Sequence, residues 1–499
     1  MPVATIITFA VYFIFLLGIG LHFYRKSVSI EDYLLGGRGM GAWVTALSAQ
    51  ASDMSGWLLM GLPGAIYIGG MGNSWIAIGL FVGTLLNWKL VAARLRVYTD
   101  KTNTITLPCF FEQRFADPTG LLRVVSAIII LIFFTIYASS GLVATGKLFE
   151  SIFKNVQYQQ AVIVGGGIVI LYTFLGGFMA VCWTDLFQGM LMLVAVLVVP
   201  VLALFKVGGT SAIAESMQLR GLSTSLMPKG DVNALLVIVS ASAWGLGYFG
   251  QPHILARFMS AKSVSKLRQS MKIAVVWVFL SLAGAVIVGL IATAMFKGLS
   301  EGDEEKVFIL MIGKVMHPWL GGIMLAAILS AIMSTIDSQL LVSSSALTED
   351  FYQKAIKPNV SKKEIMFVGR ACVIIISFVA MALALNPSDT ILGIVAYAWG
   401  GFGAAFGPVI LFALFSRKTS WQGALAGMIV GTVVLVLWEE TGLGRYIYEI
   451  VPGFVSNCLV IYLVSLAIPQ RNEHVLREFA EVVDEIKKSA EPEVILRET

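Results

Sequence analysis

Runs of about 20 predominantly apolar residues recur from end to end of this chain, and each is long enough to cross a hydrocarbon core of about 30 Å as a helix. Lipid offers the backbone no hydrogen-bond partner, so a spanning segment must satisfy its own polar groups as a helix or in a closed barrel. The length of these runs selects the helix. After a first segment from Val3 to about Phe23, further segments fall near 41–63, 73–92, 124–146, 159–180, 184–205, 233–254, 273–296, 315–346, 367–385, 392–415, 422–438 and 449–468. The sequence thus predicts an all-α membrane protein with about 13 transmembrane helices. Composition agrees: 57% of residues are hydrophobic, 13% are charged and the mean hydropathy is +0.84, whereas water-soluble domains carry about 25% charged residues.

An odd number of spans puts the termini on opposite faces, and basic loops should then alternate. They do. Arg25, Lys26 and Arg38 follow span one; Arg94, Arg96, Lys101, Arg114 and Arg123 follow span three; Arg257, Lys262, Lys266, Arg268 and Lys272 follow span seven. Lys354, Lys357, Lys362, Lys363 and Arg370 follow span nine, and Arg417 and Lys418 follow span eleven. Intervening loops are poorer in base and often acidic, as at Glu301, Asp303, Glu304 and Glu305. Positive loops stay in the cytoplasm, which predicts an outside N-terminus and an inside C-terminus. The first segment lacks a basic leader and a small-residue cleavage site, so it is read as a retained helix. Four scattered cysteines imply no disulfide frame or zinc site. The dispersed bases form no stripe for nucleic acid.

Two spans carry helix breakers. Span two contains Ser52, Asp53, Ser55, Gly56, Gly61, Pro63 and Gly64, and span seven contains Ser240, Ser242, Gly245, Gly247, Gly250 and Pro252. Irregular backbone at membrane depth survives only inside protein or beside a water-filled cavity. Breaks at corresponding places in two halves point to inverted repeats with a binding site at the midplane. The expected organisation is residues 1–40 as first helix and cytoplasmic loop, 41–205 and 233–415 as the repeats, and 206–232 as an external connection. Residues 416–470 would form two peripheral helices, and 471–499 a cytoplasmic tail, helical near Val475–Lys488.

Ionisable groups inside spans are costly and mark function by default. Asp53 lies at the break of span two, where it either caps a helix end or serves a cation or proton. Ala331, Ser334, Thr335 and Ser338 share one helical face of span nine. That stripe packs helices or, with carbonyl oxygens freed near Ala51 and Met54, makes an all-oxygen shell of the kind hard cations take. Asp185 and Asp337 are further intramembrane carboxylates; Asp185, in Trp183-Thr184-Asp185 between two close spans, also fits a helix N-cap. Trp57 follows the first break, Trp244, Tyr248 and Pro252 share a face at the second, and Tyr137 lies in span four. They form either packing or the wall of a small apolar pocket. No HExxH set or nucleophile elbow is present, so an enzyme is not expected.

The strings Ser52-Asp53-Met54-Ser55-Gly56-Trp57-Leu58-Leu59-Met60-Gly61-Leu62-Pro63-Gly64, Gly245 to Phe258 and Ala396 to Pro408 closely resemble the bacterial proline branch of the sodium:solute symporter family. They fit its sugar, pantothenate and sialic-acid branches less well. The likeness runs from about residue 10 to 470. It implies an inverted-repeat (5+5) LeuT-like core with broken helices, importing L-proline with Na+ across the bacterial cytoplasmic membrane. It further implies a sodium site on Ala51, Met54, Ala331, Ser334 and Thr335, and sodium coupling through Asp53, Ser55 and Gly56. The implied proline pocket comprises Trp57, Tyr137, Trp244, Tyr248 and Pro252. Asp185 and Ser338 occupy positions that hold a second sodium in some relatives, while Asp337 stands where the enterobacterial pattern has Ser. No organic cofactor is implied. Another small zwitterion, such as a betaine or imino acid, and coupling to protons are the alternatives.

Overall fold

The computed structural model describes residues 2–24, 35–153, 155–173, 177–228, 233–299, 302–357 and 360–490. Arg25 and Lys26 of the first basic loop, and the tail beyond 490, lie outside the described residues. The helices in chain order are α1 Pro2–Tyr24, α2 Ala42–Asp53, α3 Trp57–Gly69, α4 Met71–Lys101, α5 Leu107–Phe115, α6 Leu121–Ile152 and α7 Tyr158–Thr173. Then come α8 Phe178–Val207, α9 Thr210–Leu219, α10 Ala234–Gly250, α11 Pro252–Met259, α12 Val264–Met295, α13 Val307–Val315 and α14 Pro318–Ser345. The last five are α15 Lys362–Leu385, α16 Ile391–Phe415, α17 Trp421–Glu440, α18 Ile450–Ala467 and α19 Glu473–Ala490.

Among the described residues, ten helices are long and apolar enough to cross a membrane, and α10 with α11, bent by 45°, makes an eleventh if counted as one span. The other two of the thirteen segments are the broken pair α2–α3 and the short apolar α7. Length and composition thus support ten crossings among the described residues, or eleven with the bent pair counted as one span. The broken pair α2–α3 and α7 fall short of that length, which neither adds them to the count nor removes them. The segment boundary near Trp183 also shifts. Gly177, in extended conformation, starts α8 at Phe178, so Asp185 sits two turns inside a helix and is not its N-cap.

Burial orders the bundle. The most apolar windows of α14 and α16 are each 83% buried, while those of α1 and α18 are only 22% and 28% buried, placing α14 and α16 at the centre. Peripheral helices turn Ile14, Phe205, Phe378 and Leu466 outward, as lipid-facing surfaces require. Loops assigned to the same face by charge meet one another. At one end, Arg38 pairs with Asp100, Arg96 reaches the Ala261 carbonyl, Arg114 that of Ser416, and Arg123 pairs with Asp350. At the other, Lys147 pairs with Glu305 and Lys306 with Glu150. Helix α19 docks on the first end, where Lys101 pairs with Glu481 and Val475 and Val482 are buried.

Both breaks have local causes. Met54 leaves helical geometry at φ −85°, ψ 80°, and the chain re-enters helix through a wide π turn, Trp57–Gly61. That turn accommodates Pro63, which has no N–H for the ladder. In α10, residues Ala243–Gly250 are wound as tight 3-10 helix before the bend at Gln251. Glycine is required there: a Cβ on Gly247 would lie 1.9 Å from the Trp399 indole nitrogen.

Candidate functional site

When α2 stops, the carbonyls of its last turn lose their intrahelical donors. The Met54 N–H still reaches the Gln50 carbonyl, but the Ser55 N–H turns to that of Asp53 at 3.0 Å. The Ala51 carbonyl oxygen is thus left for other partners. Ser334 Oγ approaches it at 2.7 Å and Thr335 Oγ1 at 3.5 Å. Both hydroxyls also lie 3.2 Å from the Ala331 carbonyl oxygen. Two carbonyl and two hydroxyl oxygens, all buried, therefore gather between the α2 break and the middle of α14. Gly56 keeps the break close to its neighbours, since a Cβ there would lie 2.8 Å from Ala144 Cβ and 3.3 Å from Ile332. Ser55 Oγ accepts from the Trp57 N–H at 3.4 Å. The donors are neutral and hard, the character that suits a small monovalent cation; this extends to sodium the oxygen preference of calcium and magnesium.

Asp53 joins this oxygen cluster to the second break. Its backbone carbonyl accepts from Trp57 Nε1 at 3.1 Å and from the Tyr137 hydroxyl at 3.3 Å. Its carboxylate Oδ2 accepts from the Tyr248 hydroxyl at 2.6 Å, and Oδ1 has no hydrogen-bond partner among the described residues. A fully buried carboxylate with a vacant oxygen is costly unless a donor or cation supplies the missing partner.

Around that link the aromatics converge. The Trp57 and Trp244 rings are 6.4 Å apart, Trp244 stacks on Tyr448 at 5.6 Å, and Tyr248 meets Trp399 edge-on at 4.9 Å. Trp399 Nε1 donates to the Trp244 carbonyl at 2.7 Å, fixing the tight 3-10 stretch against α16. Pro252 opens α11 just past the bend. His253, between Phe134 and Tyr137, is buried with neither ring nitrogen hydrogen-bonded among the described residues. The structure thus brings Trp57, Tyr137, Trp244 and Tyr248 into one buried group. Sequence reasoning missed Tyr448, which stands far from either break. Trp399 lay within the quoted Ala396–Pro408 string but carried no signal of its own.

The third candidate group is organised by a residue that the charge tally had placed in a loop. Arg257 is fully buried; its Nη2 lies 3.2 Å from Asp185 Oδ2 and 2.6 Å from Ser338 Oγ, and its Nε 3.0 Å from Ser48 Oγ. Ser48 in turn donates to Asp185 Oδ2 at 2.7 Å. Asp185 and Ser338 are therefore brought together, with a guanidinium between them. Asp337 is buried on the neighbouring position of α14.

Comparison with known proteins gives a consistent picture. The profile of the Sodium:solute symporter family matches residues 33–431. The chain is 47% identical over 484 residues to the Sodium/proline symporter of Escherichia coli K12, covering 95% of each chain. It is 46% identical over 470 residues to the High-affinity proline transporter PutP of Bacillus subtilis, covering 93% of this chain and 98% of that one. It is 44% identical over 471 residues to the Osmoregulated proline transporter OpuE of the same organism, covering 93% and 95%. Among solved structures, a Na+-coupled sialic acid symporter in a substrate-bound outward-open state superposes with TM-score 0.78 at 18% identity, covering 93% of this chain and 98% of that one. The nucleobase-cation-symport-1 transporter Mhp1 superposes with TM-score 0.57 at 12% identity, covering 91% and 99%. At such identities these two neighbours speak for the fold.

Proposed function

The chain belongs to the sodium:solute symporter family, and we propose that it imports L-proline together with sodium ions. The observation that carries this reading is the 47% identity, over 95% of both chains, to a sodium/proline symporter. The chain is a multi-pass membrane protein. In the proposed arrangement it lies in the bacterial cytoplasmic membrane with the N-terminus outside, the end that gathers Arg38, Arg96, Arg114 and Arg123 facing the cytoplasm. Residues 41–205 and 233–415 act as the inverted repeats, each opening on its broken helix.

Sodium binds from outside between the α2 break and α14, held by oxygens of Ala51, Met54, Ala331, Ser334 and Thr335. To take the ion, Ser334 and Thr335 turn their hydroxyl protons away from the Ala51 carbonyl and offer lone pairs. The ion thereby fixes the irregular backbone of Ser52–Gly56. Asp53 transmits that ordering, because its carboxylate holds Tyr248 and its carbonyl holds Trp57 and Tyr137. These three, with Trp244 and Pro252, wall the proline ring. Backbone N–H groups at the start of α3 meet the substrate carboxylate, as helix N-termini do for anions. Ser55 and Gly56 serve the coupling by letting the chain turn there. No organic cofactor takes part.

At Asp185, Asp337 and Ser338 a second ion would have to displace Arg257, whose guanidinium already neutralises Asp185. One sodium per cycle is the simpler arrangement. One ion crossing about 100 mV releases roughly 2.3 kcal/mol, and a tenfold gradient adds about 1.4 kcal/mol. Together these sustain accumulation of several hundredfold.

The test is uptake of labelled proline by the purified protein in liposomes, with an inward sodium gradient against a choline control. Uptake only with sodium supports the reading. Equal uptake in choline with a pH gradient would replace sodium by protons, and no uptake in either would remove proline as the substrate.

A further inference from the structure

At its inner end α14 changes character. Beyond Ser345 the chain continues without a break, but residues Ala346–Ile356 are wound as π-helix, a wider winding that is rare and gathers at functional places. Asp350 lies in the middle of this segment, fully buried. Its Oδ1 accepts from Thr106 Oγ1 at 2.8 Å and from Arg123 Nε at 2.6 Å, while Oδ2 has no hydrogen-bond partner among the described residues. Thr106 also accepts from the Cys109 N–H and so caps α5. Arg123, at the start of α6, reaches the Glu349 carbonyl at 3.1 Å and Glu112 Oε2 at 3.3 Å, and Lys354 closes the set on Glu112 Oε1 at 2.7 Å. One carboxylate therefore ties the π segment to α5 and α6.

Beside it lies a narrow cavity of about 30 Å³, lined among others by Pro252, Ala256, Met259, Leu341, Ser345 and Asp350. This volume has room for water but not for an amino acid. It nevertheless runs from Pro252, at the proposed proline pocket, to Asp350, at the end face. A solute leaving the pocket toward that face must part α11 from the lower half of α14, and the ties on Asp350 oppose this.

We propose that Thr106, Arg123 and Asp350 are the latch that keeps the inner exit shut, and that the cavity is the collapsed exit path. This rests on the transport reading and on the assigned orientation. The π segment is the moving part. Its wide winding lets Asp350 swing from Thr106 and Arg123 while α14 above Ser345 keeps its place beside the sodium oxygens. The three residues are positioning residues and touch neither proline nor sodium.

The experiment places a reporter, Ser345→Cys, in the full chain with its four native cysteines replaced by serine, and measures labelling by a membrane-impermeant maleimide. Inside-out and right-side-out vesicles give the two faces separately. Asp350→Asn and Thr106→Val should each speed labelling from the cytoplasmic face about tenfold, the effect of losing one charge-assisted hydrogen bond. Thr106→Ser should restore the original rate. A control reporter at the opposite end, Ile309→Cys, should keep its rate. Unchanged Ser345→Cys labelling in variants that still bind proline overturns the latch, as does equal acceleration at both reporters, which would mean general loosening. Acceleration of Ser345→Cys only from the outer face would keep the latch and overturn the orientation.

Discussion

The two broken helices do opposite work with similar sequence ingredients. Both breaks combine serine, glycine and proline with a tryptophan. At the first, the chain leaves helical geometry at Met54 and exposes the Ala51 carbonyl to Ser334 and Thr335. At the second, the chain stays wound as 3-10 helix and bends only at Gln251, so its backbone is largely satisfied and its Trp244 and Tyr248 rings fill the space. A break that frees carbonyls makes an oxygen site, whereas a bend that keeps them bonded makes an aromatic wall. The contrast teaches that helix-breaking residues announce a site without naming its ligand. In the proposed function, what the neighbouring helix presents, hydroxyls from α14 or the indole of Trp399 from α16, decides the ligand.

That contrast can be broken most sharply at the residue belonging to both sides. Asp53→Asn should lower initial proline uptake about 100-fold, the scale of losing a buried charged hydrogen bond. Titrations of both ligands check it; loss of sodium response alone would assign Asp53 to the oxygen side only. Next, Thr335→Ala or Ser334→Ala should raise the sodium concentration for half-maximal uptake about tenfold, with proline affinity at saturating sodium changed less than about threefold. Conversely, Trp244→Ala should weaken proline about 10- to 100-fold, the cost of losing a buried aromatic face, with sodium half-saturation nearly unchanged. A variant that weakens both ligands equally would erase the division of labour.

The smallest effect concerns the outer rim of the aromatic side. Glu449 precedes α18 and follows Tyr448, which stacks on Trp244. Burial, aided by the charge of Glu439, pushes its carboxyl up from 4.5 to about 7. A carboxyl raised on folding favours the folded state most while protonated, so its contribution is complete below the unfolded value and is lost as pH rises to about 7. Thermal unfolding between about pH 5 and 8 should therefore flatten in Glu449→Gln relative to the parent protein.

Much of this was legible in the sequence because its causes are local. Apolar runs set the helices, Ser52–Gly56 and Pro63 set the first break, and the spacing of Ala331, Ser334, Thr335 and Ser338 set a face of α14. What escaped depends on distant partners. Arg257 reads as one more base beside a cytoplasmic loop, yet it is buried against Asp185, 72 positions away. Asp185 itself looked like a helix cap because Trp183-Thr184-Asp185 falls between two closely spaced apolar runs; the helix cap is Gly177, eight residues earlier. Tyr448 gave no signal, since nothing in its own neighbourhood points to Trp244. Thirteen crossings could be counted from apolar runs, while helix length supports ten, or eleven with the bent pair as one span, because span two is broken and α7 is short.

The central claim is that sodium at the α2 break prepares the aromatic pocket through the Asp53–Tyr248 hydrogen bond. Coupling between two ligands is reciprocal and measurable as a change in affinity. The direct measurement is the proline dissociation constant of the purified protein with and without sodium, in the parent and in Tyr248→Phe, which keeps the ring and removes the hydroxyl. The account predicts that sodium tightens proline in the parent, and that Tyr248→Phe still binds proline but loses most of that tightening. Equal sodium-dependent tightening in both proteins would contradict it.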